Sequence, residues 1–340
     1  VPLLFLFFLS GATSLAYQVL WVRELQLIFG TSTFAISSLL AAFMAGLALG
    51  GFAMARLSDR ISRPLVTYGL LEIGIGFYAF CFPWLVAMVT PVYLEIWRAL
   101  QPGPVLFGSI QFVLVGATLL IPTAAMGATL PMLAKFVEGH EETVGNRVGT
   151  LYAINTFGAV FGTWLCGFIL LPELGRSQST LIALLTNIAL GVGALFLSHK
   201  AKTNSSIAVS ASNKSWVEVE HPNLMPVSIA IGLAGFAVLV YEVAWSRLLG
   251  LILGGSTYTF SLMLLVFLGG IALGGKLGGK LADYVLQRKT QLGLLWTFAF
   301  IEIAIALLSY LAMYLYPELP FWYVWLFDLL EAAQRPEAIW

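Results

Sequence analysis

One passage of this chain occurs twice. Leu15-Ala16-Tyr17-Gln18-Val19-Leu20-Trp21-Val22-Arg23-Glu24-Leu25 returns as Leu239-Val240-Tyr241-Glu242-Val243-Ala244-Trp245-Ser246-Arg247-Leu248-Leu249, in both places within a long apolar run. At the same offset Gly30 pairs with Gly254, Phe43 with Phe267, Gly46 with Gly270, Gly50-Gly51 with Gly274-Gly275 and Asp59 with Asp283. A duplication that runs through successive apolar stretches constrains the fold to two related halves, each built from helices in the same order.

Those apolar stretches decide the solvent. Of 340 residues, 59% are hydrophobic and 10% charged, against about 25% charged in an ordinary globular domain. No water-soluble core can hide that much apolar surface, so a lipid bilayer is the expected partner. The formal net charge is zero, which gives nucleic acid no electrostatic hold. Cys81 and Cys166 lie in apolar runs without CxxC spacing or a neighbouring His, so they read as packing residues and no metal site is expected. The start, Val1-Pro2-Leu3-Leu4-Phe5, lacks a cationic n-region and is the repeat partner of an internal helix, so it reads as a mature span. With no initiator Met and a second half that stops partway, the chain reads as a fragment.

Spanning about 30 Å of hydrocarbon takes about 20 helical residues. Stretches of that length run at about 2–22, 33–55, 65–90, 105–134, 148–171, 178–198, 225–249, 256–279 and 291–316. The expected fold is an all-α polytopic membrane protein of about nine transmembrane helices, with two parallel pseudo-repeats and a truncated second half. Residues 1–198 form a six-helix half, 199–224 a polar cytoplasmic linker, and 225–340 three further helices plus an interfacial segment. A cytoplasmic N-terminus puts Arg56, Arg60, Arg63, Lys135, Arg147, Lys200, Lys202, Lys214, Lys276, Lys280, Arg288 and Lys289 inside. Only Arg23, Arg98, Arg176 and Arg247 then fall outside, with Arg335 unassigned, as the positive-inside rule requires.

Two loops carry a signature. Ala55-Arg56-Leu57-Ser58-Asp59-Arg60-Ile61-Ser62-Arg63 and Gly279-Lys280-Leu281-Ala282-Asp283-Tyr284-Val285-Leu286-Gln287-Arg288-Lys289 follow the second and eighth spans. Both resemble the loop motif of the major facilitator superfamily (MFS), although neither copy is complete. Such a loop is either a cationic topology signal or a latch, in which Asp59 or Asp283 accepts charge-assisted bonds from Arg60, Arg63 or Lys280. Glycines recur every four residues at Gly46 and Gly50, at Gly158 and Gly162, and at Gly270, Gly274 and Gly278. That spacing strips a helix face to backbone and lets two helices touch.

Ionisable groups inside spans are candidates for function because each costs at least about 2.5 kcal/mol at mid-membrane. Glu72 falls about 10 Å into the third span and Glu302 about 16 Å into the ninth. Glu242 replaces Gln18 of the first copy and cannot reach Arg247, about 140° away on the helix. Each acid is either a buried, hydrogen-bonded carboxyl or a proton or cation site. Asn155 with Thr156 either glues helices together or faces a cavity. Tyr17 and Tyr241, beside Gln18 and Glu242, join the candidate pathway. Arg23 and Arg247 read as snorkelling cations near the outer face, and Trp21 and Trp245 as members of an aromatic belt.

Three passages together resemble the membrane portion of bacterial fused MFS-transporter/spermidine-synthase-like proteins. They are Ile121-Pro122-Thr123-Ala124-Ala125-Met126-Gly127-Ala128-Thr129-Leu130-Pro131-Met132-Leu133, the run from Gly149 to Gly162 continuing to Pro172, and the duplicated Tyr-[Gln/Glu]-Val-x-Trp-x-Arg. The resemblance covers essentially the whole chain and implies an inner-membrane location. It also implies a Rossmann-like aminopropyltransferase domain C-terminal to the bundle, using decarboxylated S-adenosylmethionine. No catalytic residues for that chemistry stand in this stretch. The resulting expectation is a transporter-like bundle for a small cationic solute such as a polyamine. One alternative is a non-transporting platform for the synthase domain. A lipid-binding or lipid-modifying protein using Arg23 and Arg247 is another.

Overall fold

A computed structural model describes residues 2–137, 144–204, 225–254, 256–287 and 291–334. Ten α-helices follow one another, with no strand among the described residues: α1 (Pro2–Phe29), α2 (Thr33–Leu57), α3 (Pro64–Leu100), α4 (Pro104–Val137), α5 (Val144–Leu165), α6 (Leu171–Asn204), α7 (Met225–Leu253), α8 (Thr257–Gln287), α9 (Gln291–Leu315) and α10 (Leu319–Gln334). Residues 205–224 of the expected linker, with Lys214, and also Arg288, Lys289 and Arg335, lie outside the described residues, as do the side chains of Arg147, Lys200, Lys202 and Asp283.

Among the described residues eight stretches are long and apolar enough to cross a membrane, as in an all-helical, multi-pass membrane bundle. The expected spans at 148–171 and 178–198 fall in one stretch, Gly149–His199. As a straight helix its 51 residues would reach about 75 Å, more than twice the hydrocarbon thickness. It is not straight. A π-helical turn at Cys166–Leu170 joins α5 to α6, and Gly175 (φ 71°, ψ 177°) then breaks the helical path. Helices also overrun the expected ends, α1 to Phe29 and α3 to Leu100. The expected interfacial tail is helical: a 3₁₀ turn at Tyr316–Glu318 leads into α10.

The helix ends follow from local chemistry. Gly30 (φ 80°) terminates α1 and Gly254 (φ 84°) terminates α7, in the left-handed conformation that glycine adopts without strain. Ser32 then caps α2 by accepting from the Ala35 N–H, and Ser256 caps α8 by accepting from the Thr259 N–H. These positions correspond in the duplicated sequence, so both copies end one helix on a left-handed glycine and cap the next with a serine. Prolines at Pro64 and Pro104 open α3 and α4.

Packing is by pairs: α1 on α5, α2 on α4, and α3 on α6, with α8 against α5. Glycine sets the approach. A Cβ on Gly50 would overlap the Ala124 carbonyl of α4, and one on Gly162 the Ala12 carbonyl of α1. Gly46 and Gly158 make equally tight contacts, with Thr123 and Phe8. Gly270, Gly274 and Gly278 depart from the expectation, since nothing lies within 4 Å of a Cβ at any of them. Among the described residues no helix stands against α8 as α4 stands against α2.

The core centres on Trp21, which is 2% exposed. Its ring stacks on Tyr17 at 5.2 Å and on Phe82 at 4.8 Å. An aromatic-belt position is therefore ruled out for Trp21, because a belt residue must reach the lipid interface. Trp245 is half-buried and stacks on Tyr316 at 5.0 Å. Cys166 is fully buried and donates to the Ala16 carbonyl, whereas Cys81 is half-buried; both are free thiols.

Prolines inside α4 free carbonyls that hydrocarbon cannot hydrate. Pro122 has no N–H for the Thr118 carbonyl, and the Tyr78 hydroxyl of α3 donates to it at 2.7 Å. Tyr78→Phe is expected to cost about 1–3 kcal/mol by orphaning that carbonyl, read as a lower apparent Tm in detergent. Gly50→Leu should cost a similar amount or more, about 1–3 kcal/mol, by forcing α2 off α4. Gly274→Leu at the corresponding place should change stability by no more than about 0.5 kcal/mol. Equal losses for both would contradict the open face described for α8.

Candidate functional site

Glu72 is 1% exposed, in the middle of the bundle, and three helices converge on it. The Ser10 hydroxyl of α1 donates to Oε1 at 2.5 Å. The Asn187 amide of α6 donates to Oε2 at 3.1 Å and to the Glu72 backbone carbonyl at 3.3 Å. Tyr68, one turn earlier on α3, is buried beside the same carboxyl, its hydroxyl short of a well-formed hydrogen bond. Gly76, one turn later, leaves room for Asn187: a Cβ there would lie 3.2 Å from the Asn187 Cβ. Among the described residues no cation pairs with Glu72. A buried carboxyl held by neutral donors can take up and release a proton or coordinate a small cation.

Several neighbouring polar groups lack partners. Tyr17 is fully buried within electrostatic reach of Glu72, and its hydroxyl has no hydrogen-bond partner in the protein. Gln18 is fully buried with both amide atoms unpartnered, and so are Asn187 Oδ1 and Ser261 Oγ. Asn155 sits on α5 against Gly11, the residue next to Ser10. Glu242, the counterpart of Gln18, is 1% exposed, and neither carboxyl oxygen has a partner among the described residues. Its backbone carbonyl accepts from the Ser246 hydroxyl at 2.7 Å, which leaves the side chain unsatisfied.

The three acids do not form one site. Glu72 is enclosed by α1, α3 and α6, whereas the α7 that carries Glu242 packs on α8 and α2. Glu302 is half-buried on α9, which touches α8 lightly. Tyr241 is half-buried on α7. Arg23 and Arg247 are exposed, as snorkelling requires.

The loop after α2 is held differently from the expected latch. Lys135, in the last turn of α4, donates to the Ser58 carbonyl and lies 3.7 Å from Asp59 Oδ1. Arg60 and Arg63 are exposed and make no ion pair with Asp59. Lys280 is exposed on α8. The cation comes from a distant helix because α4 packs along α2 and ends beside this loop.

Sequence reading found Glu72 and missed its donors. Tyr68 at the preceding turn and Asn187, beside Thr186 in the apolar run of α6, were the available signals; Ser10 had none. It also missed the ion pair between Glu24 and Arg176.

Comparison with protein-family models, curated proteins and solved structures gives no match. The site therefore has to be read from its own geometry. Asn187→Leu should cost about 1–3 kcal/mol, because it strips Glu72 Oε2 of its donor. Adding Glu72→Leu should restore much of that loss, since replacing both partners with apolar groups is nearly neutral. Apparent Tm values of the two variants in detergent test this, and a further loss in the double variant would refute the pairing.

Proposed function

We propose that this chain is the membrane portion of a transporter-like protein that moves a small cationic solute. The architecture proposed is MFS-like, with parallel pseudo-repeats and nine crossings, Gly175 dividing Gly149–His199 into two. The matching turns at Gly30 and Gly254 support the repeat. The lysine and arginine distribution supports a cytoplasmic N-terminus, and the family resemblance supports an inner-membrane location. A polyamine is the first solute to test, on the strength of the resemblance to the fused synthase-like family.

The observation that carries the reading is Glu242. An acid inside a span with no protein partner for either oxygen needs a proton, water or a cation. The first copy of the repeat holds a neutral amide, Gln18, at the same place, so the geometry accepts Gln. Glu72, with its own donors, is the second candidate for coupling.

One observation favours the alternative of a membrane platform for an aminopropyltransferase domain. None of the most apolar window of Gly293–Leu329 is buried, which leaves α9 and α10 open to a partner. Flux decides between the two. Labelled spermidine should accumulate in proteoliposomes containing the full-length protein and respond to an imposed proton or cation gradient. Glu242→Gln should fold normally, without the roughly 3–5 kcal/mol loss of breaking a buried ion pair, and should lose the gradient dependence. Absence of flux for any amine would favour the platform; full gradient dependence in Glu242→Gln would remove Glu242 from the mechanism.

A further inference from the structure

A second polar place lies apart from Glu72 and does not depend on the transport reading. Arg176 Nη1 pairs with Glu24, and the two side chains differ in access: Glu24 keeps 9% of its surface exposed and Arg176 41%. Glu24 precedes the end of α1 at Phe29 by five residues, which puts it about 8 Å inside the helix end, at head-group depth. Arg176 follows the break at Gly175, so it stands at the start of a new helical segment whose positive end adds to its charge.

The pair borders a cleft of about 280 Å³ between α1, α3 and α6. Trp21, Phe80, Trp84 and Leu181 supply its apolar wall, and Ser177 and Thr180 stand beside the guanidinium. Phe80 and Trp84 meet edge to face at 5.0 Å, and both are exposed on the outside of the bundle. The cleft thus has a greasy wall open to lipid and a polar end at the interface. Its volume is below the roughly 300 Å³ at which ordinary ligand pockets begin, so it suits one part of a larger amphiphile.

Both members of the pair line the cleft, and the cation is the more accessible of the two. Arg176 covers Glu24, and the planar guanidinium has five N–H donors, of which the pair engages those on Nη1. Phosphate matches that fork in shape and charge. We propose that this cleft binds a net-anionic membrane phospholipid, its phosphate on Arg176 and part of an acyl chain along the Trp84 wall. Free phosphate shares the head-group chemistry but makes no use of the aromatic wall.

The test uses the full chain in maltoside micelles with phospholipids brominated on the acyl chain, which quench nearby tryptophan. The signal is the difference between the wild type and Trp84→Phe, a lipid-exposed position that tolerates the change. Phosphatidylglycerol, net anionic, should quench at roughly three- to tenfold lower mole fraction than phosphatidylcholine, as expected for one charge-assisted contact. Glu24→Gln/Arg176→Gln, which removes both charges and strands neither, should bring that ratio to about one. Equal quenching by the two lipids in the wild type, or an unchanged ratio in the double variant, overturns the proposal. So does inorganic phosphate that binds in an Arg176-dependent way while the lipids show no preference.

Discussion

Close contact between helix backbones is the constraint on which the other features of this bundle depend. In hydrocarbon the hydrophobic effect does not press one helix against another, so association rests on van der Waals contact and on polar groups that meet. Glycines in α2, α3 and α5 let their partners come to backbone distance. The polar meetings then follow. Asn187 reaches Glu72 because Gly69, Gly76 and Gly191 bring α3 and α6 together. Ser10 reaches it from α1, whose neighbour Gly11 lies against Asn155.

The same solvent makes every freed backbone group a demand on a side chain. Pro122 leaves the Thr118 carbonyl without its helical partner, and Tyr78 answers from another helix. The Phe29 carbonyl at the end of α1 receives the Gln111 amide of α4, which also bonds the Tyr93 hydroxyl of α3. Lys135 does likewise for Ser58 at the turn after α2. In water these carbonyls would be hydrated at little cost; in a membrane each bond also fixes the register of two helices. Not every buried group is answered in this way: Tyr17, Gln18 and Ser261 keep unpartnered side-chain atoms, and Glu242 is the carboxyl among them.

What could be read from the sequence was what depends on one segment at a time. Apolar length gave the helices, and the paired Gly30 and Gly254 mark where α1 and α7 end. A lone acid in an apolar run pointed to Glu72 and Glu242. What could not be read depends on which faces meet. Trp21 carries the same local signature as an interfacial tryptophan, and only the arrival of Phe82 from α3 makes it a core residue. Asp59 sits among arginines in sequence, yet the cation near it comes from α4. Glycine spacing is equal in α2 and α8, but only in α2 does a helix pack against the glycine face among the described residues. The break at Gly175 was hidden for a related reason, since an apolar run reports length and not direction.

The two halves therefore share a pattern without sharing a site. At the repeat offset Ser10 corresponds to Ala234, and in the register that aligns Leu71-Glu72-Ile73 with Ile301-Glu302-Ile303, Tyr68 corresponds to Phe298. Both replacements delete a hydroxyl, so the second half lacks two of the polar groups that surround Glu72. Glu302 is accordingly only half-buried, on a helix with little packed against it. The reverse holds two helices earlier, on α1 and α7, where the first half carries neutral Gln18 and the second carries Glu242. Each half thus buries one acid completely, at a different helix and with different support: Glu72 held by donors from α1 and α6, Glu242 by none. Between two acids buried to the same degree, that difference in support is what separates them: Glu72 ties α1, α3 and α6 together, whereas the Glu242 carboxyl meets no donor among the described residues.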